Sequence, residues 1–383
     1  MLASRSDRKG RVMVTRTVRR AAGGVSAVAF ERRRVRPGLR CSAVEPARFA
    51  PALRRAPGVG ALRRARFRRG LPAVFWLLPL ALGPGCGTGI ESVSAGLAGS
   101  APSPPVFSDD VIDAARRFVQ PSNDLRLAVL EEELRQRELP YTLQTFPRER
   151  ADGDDGRSSG HNVVVSFGAG PPRVILGGHF DAARLDDGAL SQGAVDNAAG
   201  VLVLLRVAES LRDAALRGPV HVVFFDMEEL GLLGSRAYLR SVAPSPAAAM
   251  VNVDIVGYGD TLLYGPGDLS PEHRLAGHVH RVCARHAVAC VGTPRMPPSD
   301  DRSFLGAGIP AVSLAMLPAA EAHRLWLFLN GDLTDNLRAA LAPPILRTIH
   351  TARDTTDKLE PEALTRVARI VTDLAIDLDA TAQ

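Results

Sequence analysis

The sequence predicts an α/β fold: one domain over residues 107–383, with a mixed, mostly parallel central sheet and helices on both faces. Three observations carry that expectation. Apolar runs at 163–167, 173–178, 221–225 and 250–253 have the length of buried strands and are too short for helices. Segments with helical spacing alternate with them. Acidic residues and histidines gather just past those runs, at the strand edge where open α/β sheets keep their functional crevice.

The chain before this domain is of a different kind. Residues 1–70 hold 20 Lys/Arg against 3 Asp/Glu, with no apolar periodicity, and are expected to be disordered. An over-extended gene start, with Val59 as an alternative initiator, accounts for them more plainly than an RNA-binding arm, because aromatics are not interleaved with the arginines. The rest of the chain carries 27 Lys/Arg against 38 Asp/Glu, so the net charge of +6 hides an acidic body and gives no argument for nucleic acid. Residues 71–86 follow the basic stretch RRARFRRG with about a dozen apolar residues and then small ones, the pattern of an export signal. The run is too short for an ordinary membrane span. Cys86 follows it as the lipidated cysteine does in bacterial lipoproteins, although Pro84 and the early Leu82 fit that signal loosely. Lipidation, other export and a retained anchor all place the body outside the cytoplasm. Residues 87–106, rich in Gly, Ser, Ala and Pro, read as a flexible tether.

Within the domain, Ser108 can cap a helix to about 119, with Asp109 and Asp110 in its first turn. Ser122 or Asn123 can cap a second, with Leu127, Leu130 and Leu134 on one face, stopped by Pro140. Strands are expected near 141–146, 163–167 and 173–178, the last two close enough for a hairpin. A buried helix follows at 200–216, then a strand at 221–225, a helix at 235–242 and a strand at 250–253. A helix at 271–286, a strand at 309–314 and a helix at 361–378 complete the pattern. Cys283 and Cys290 are either one disulfide or two small buried hydrophobes.

The chemistry begins at Gly177-Gly178-His179-Phe180-Asp181. Residues two apart on an extended backbone share a side, so Asp181 can accept one N–H of His179 while the other nitrogen faces a metal. Glu228 and Glu229 follow the 221–225 strand; adjacent side chains diverge, so one can hold a metal while the other serves as general base. Asp196, Asp254 and His350 stand at further bends. Each alone has a bland reading as a turn or surface residue. Histidines and carboxylates with no thiolate suit Zn²⁺ and would also accept Co²⁺ or Mn²⁺.

GGHFDA, GAVDNAAG, FFDMEELGLLGS, NVDIVG and IHTARDT, in that order, resemble the secreted di-zinc aminopeptidases of metallopeptidase family twenty-eight over roughly 105–380. The resemblance implies a single zinc-exopeptidase domain and two Zn²⁺ ions. Asp196 would bridge them, His179 and Asp254 would hold one, and Glu229 and His350 the other. Glu228 would be the general base and Asp181 the partner of His179. The substrates implied are peptides with a free N-terminus. Asp301 stands where the family's Ser-Asp-His segment has its histidine, after Ser299-Asp300.

Amidohydrolase-like carboxypeptidases insert a dimerisation domain of about 100 residues, for which the stretch from Asp254 to His350 has no room. A glutaminyl-cyclase-like acyltransferase shares the fold and part of the ligand set. A non-catalytic binding domain on this scaffold usually lacks one or more of the ligands that are present here. The segment 316–349, with its cluster Trp326-Leu327-Phe328-Leu329, is either extra helical packing or a wall that selects the substrate side chain.

Overall fold

The computed structural model describes residues 5–6, 12–13, 106–108, 110–148, 156–242, 249–267, 269–270 and 273–381. The chain divides into two units, Met1–Gly89 and Ile90–Gln383. In the first, Arg5–Ser6 pairs antiparallel with Val12–Met13. The signal segment with Cys86 and the tether to residue 105 lie outside the described residues, as does the rest of 1–70.

The second unit opens with helices α1 (Asp110–Arg117) and α2 (Asn123–Gln136), and Ser122 Oγ accepts the Leu125 N–H at the start of α2. Strands β1 (Thr142–Pro147), β2 (Ser159–Phe167) and β3 (Val174–His179) precede α3 (Ala199–Arg212). Then come β4 (Val220–Phe225), α4 (Leu233–Ser241), β5 (Ala249–Val253), β6 (Thr261–Gly265) and α5 (Arg274–Arg285). The order continues with β7 (Ala289–Gly292), α6 (Asp301–Gly306), β8 (Ala311–Leu317), α7 (Ala319–Asn330), α8 (Asp335–Leu341) and α9 (Pro361–Thr381).

The eight strands form one sheet in the order β1-β2-β4-β3-β5-β8-β6-β7. Its centre, β4-β3-β5-β8, is parallel, while β1, β2 and β6 join their inner neighbours antiparallel. The period of two explains how both faces are covered. Val174, Leu176, Val222 and Phe224 face the larger core, where α3 and α9 pack; Ile175, Val223 and Phe225 face the other, against Tyr238 of α4 and Phe304 of α6.

The expected hairpin between the second and third strands does not form. β4 lies between β2 and β3, antiparallel to one and parallel to the other. A strand apolar on both faces is best buried with two neighbours, so the 168–173 connection crosses its start, where the Arg173 N–H donates to Pro219 O at 2.8 Å. The segment 316–349 also resolves into parts. Leu325 of α7 is buried in the main core and Trp326 and Leu329 pack against it, with Trp326 Nε1 donating to Gly292 O at 3.1 Å. Trp326 and Leu329 are therefore packing, as the bland alternative had it, while Leu327 is exposed. Cys283 and Cys290 are disulfide-bonded, joining α5 to the edge strand β7. Among the described residues no helix is long and apolar enough to cross a membrane.

Candidate metal centre

Three of the parallel strands end at one edge, and the polar groups lie there. His179 is the last residue of β3, Glu228 and Glu229 follow β4, and Asp254 follows β5. Asp196 and His350 arrive from the turns before α3 and α9. His179 is 1% exposed, and its Nε2 lies 3.0 Å from Asp196 Oδ1 and 3.7 Å from Asp254 Oδ1. The half-exposed His350 places its Nε2 3.1 Å from Asp196 Oδ2 and 3.1 Å from Glu229 Oε2. The two oxygens of Asp196 are thus divided between two imidazoles that come from opposite ends of the domain.

The sequence places Asp181 beside His179, and the structure gives it a wider task. Nδ1 of His179 is 3.0 Å from the Asp181 backbone carbonyl and 3.5 Å from its carboxylate. The carboxylate itself accepts the backbone N–H groups of Glu228 (3.1 Å) and Glu229 (3.2 Å), so it fixes the glutamate turn more directly than the imidazole.

Four residues that sequence reasoning passed over frame the site. Asp226, fully buried, accepts Arg157 Nη1 on both oxygens (3.0 and 2.9 Å), His161 N–H (2.9 Å) and Met227 N–H (2.8 Å), and so anchors the turn that carries the glutamates. Met227 there has φ 58°. Asp354, four residues past His350, accepts the N–H groups of Val195 (2.7 Å) and Asp196 (3.1 Å). Asn197 donates to Val253 O (2.9 Å) and accepts from Gly200 N–H (3.1 Å), tying the Asp196 turn to the end of β5. Gly178 permits this approach: a Cβ there would stand 2.6 Å from Val253 O. The fourth is Arg126 of α2, wholly buried among backbone carbonyls. Its signal was its place four residues before Leu130, on the face the helix buries.

The electrostatics favour positive charge at the cluster. Burial disfavours charge on His179, yet Glu228 and hydrogen bonds donated to Asp181, Asp196 and Asp254 push its pKa well up. Hydrogen bonds donated to Asp196 and Glu229 push His350 up to about 11. Burial, then repulsion from Asp196, raises Glu229 to about 7; burial, with repulsion from Asp300, Asp254 and Glu229, raises Glu228 well above the carboxylate range. Oε1 of Glu229 and Oδ1 of Asp254 are buried without a hydrogen-bond partner. His179, Asp196 and Glu229 each offer one donor atom within 4.8 Å of the others. Crowded carboxylates, imidazole nitrogens and orphaned oxygens are what a divalent cation satisfies, so the residues fit such a group. Asp301 is buried at the start of α6 instead, where burial pushes its carboxyl up to about 7.

Two clefts flank His350. One of about 470 Å³ is lined by Asp196, Glu228 and Asp254 and by apolar Ile255, Pro297, Pro298, Leu346 and Ile349. The other, about 330 Å³, holds Asp181, Glu229, Arg184 and Leu230. From the 316–349 segment it is Leu346 and Ile349, not the Trp326 cluster, that reach the larger cleft.

The chain is similar to several known proteins. The alkaline phosphatase isozyme conversion protein of Escherichia coli K12 is 32% identical over 136 residues, 31% of this chain and 39% of that protein. The probable leucine aminopeptidase 2 of Aspergillus fumigatus is 28% identical over 171 residues, 40% of this chain and 32% of that protein. The matches therefore span two fifths or less of these relatives' lengths. Among solved structures, a glutaminyl cyclase of Bacteroides thetaiotaomicron shares the fold with TM-score 0.55 and 18% identity, covering 72% of this chain and 99% of that one. A zinc aminopeptidase of Bacillus subtilis aligns with TM-score 0.45 and 19% identity, over 58% and 50%. The model of Peptidase family M28 matches residues 162–375, a span that takes in every residue of the cluster, and the chain belongs to that family.

Proposed function

We propose that this protein is a metal-dependent exopeptidase that removes N-terminal residues from peptides. The observation that carries the reading is the Asp196 carboxylate between His179 (3.0 Å) and His350 (3.1 Å), an arrangement suited to two neighbouring cations sharing one bridge. In this reading His179 and Asp254 would hold one ion, Glu229 and His350 the other, and Asp196 would serve both. The donor set suits Zn²⁺ and would also accept Co²⁺ or Mn²⁺. The ions, when bound, supply Lewis-acid activation of the carbonyl and of water.

The remaining chemistry belongs to the chain. Glu228 shares the larger cleft with Asp196 and Asp254, and its desolvated carboxylate is a strong base. It takes a proton from the attacking water and returns it to the leaving amine. Asp181, by holding both glutamate N–H groups, keeps Glu228 turned to the cleft and Glu229 to His350. The apolar wall of Ile255, Leu346 and Ile349 receives the side chain of the departing residue. Export, and attachment to a membrane through Cys86, belong to the same proposal; the Cys283–Cys290 disulfide suits an oxidising compartment.

The test is release of a free amino acid from an aminoacyl-anilide by the purified protein. It should stop on chelation and return with Zn²⁺. Activity indifferent to chelators would end the proposal. The fold also carries glutaminyl cyclases, so the parallel assay offers a peptide with N-terminal Gln. Ammonia released without chain shortening would favour the acyltransferase reading.

A further inference from the structure

We propose that Arg126 is a positioning residue that sets the distance between the two loops of the metal site before any cation arrives. The inference rests on the metal reading above. Arg126 is 0% exposed. Its Nε donates to Phe180 O (2.6 Å), its Nη1 to Phe118 O (2.8 Å) and Gln192 O (2.9 Å), and its Nη2 to Gly193 O (3.3 Å). Phe180 sits between His179 and Asp181, and Gln192-Gly193 open the turn that delivers Asp196. One side chain therefore bridges the loop of the first histidine and the loop of the shared carboxylate.

A buried charge ordinarily sits against an opposite one. The hydrogen bonds of this guanidinium go instead to backbone carbonyls. Burial lowers its pKa to about 10, still protonated at neutral pH, and Asp181, Asp354, Asp196 and Glu229 are the anions that favour its charge. It thus spaces the loops and offsets part of their negative charge without touching the cluster. Asn123, one turn earlier on α2, supports the same loop: its side chain donates to Ala182 O (3.3 Å) and accepts the Ala182 N–H (2.9 Å). The five donors of a planar guanidinium fork make this reach; the three of a lysine ammonium cannot.

The test uses the full-length protein, stripped by a chelator and titrated with Co²⁺, read by visible absorption and by competition with the chelator. Wild type should take up two ions. Arg126→Lys should keep the far-ultraviolet circular dichroism of wild type, bind at least one ion about tenfold more weakly, and show altered absorption intensities. A merely structural role would lower the melting temperature and leave affinity and spectrum unchanged; that result overturns the inference. Wild type that takes up no Co²⁺ removes the metal reading, and the inference with it. Should Arg126→Lys fail to fold, hydrogen exchange on metal-free wild type decides: the amides of Val195, Asp196 and Ala198, the last bonded to the Gly193 carbonyl that Arg126 also holds, are expected to be protected without metal, and free exchange there refutes pre-positioning.

Discussion

The carboxylate of Asp354 holds the backbone of Asp196, accepting its N–H at 3.1 Å while the other oxygen takes that of Val195 at 2.7 Å. The residue that ends the His350 turn therefore orients the residue proposed to bridge the ions. Outer partners of this kind are worth about 10–100-fold in metal affinity. Asp354→Asn should lose affinity in that range, measured by chelator competition, with little change in secondary structure. Unchanged affinity would mean that Asp196 is oriented by other contacts.

Glu228 and Glu229 are adjacent yet separable. Glu228→Gln should retain its metal, by elemental analysis, and lose turnover by about 10²–10⁴-fold. Glu229→Ala removes an oxygen 3.1 Å from His350 Nε2 and should lower metal content first. Equal metal loss in both variants would contradict the division of labour.

Gly178 lies where β3 passes the end of β5, and an added Cβ would stand 2.6 Å from the Val253 carbonyl and 3.3 Å from Asn197 Nδ2. The backbone carbonyl cannot swing aside, so Gly178→Ala should cost about 1–3 kcal/mol of stability. It should also weaken metal binding by moving His179 away from Asp254. Denaturant unfolding with and without metal measures both; a variant as stable as wild type would show that the strands can separate at no cost.

Away from the cluster, His221 accepts or donates through Nδ1 with Tyr238 Oη at 2.7 Å, and burial holds its imidazole below the ordinary value. The unfolded chain then binds the proton more readily than the folded one. Stability from this residue is complete above about pH 6.5 and is lost as pH falls below it. The gap in melting temperature between wild type and His221→Asn should narrow from pH 7.5 to pH 5.5, two settings about one unit either side of that value. A gap that widens on acidification would reverse the assignment.

Much of the site was legible because chemistry here follows strand ends. His179, Glu228, Glu229 and Asp254 each close or follow an apolar run, and the run locates them on one edge. Pairing order was less legible. β2 and β3 are neighbours in sequence, and only the two-faced apolar character of β4 favours its insertion between them. β6 and β7, of five and four residues, lack the length and flanking signals that mark the central strands. Arg126 shares the buried Leu130 face of its helix, but its role was not legible, because the Phe180, Gln192 and Gly193 carbonyls that it holds come from loops more than fifty positions away.

The proposed ligands begin at His179 and end at His350, so the central parallel strands and everything between them must be in register before they meet. Non-local assembly of that kind is slow, since each closure spends chain entropy ahead of its reward. In the proposed metal reading, ion capture is consequently a last event of maturation: a half-built chain presents scattered acids and imidazoles, and selectivity among ions is exercised by the finished scaffold alone.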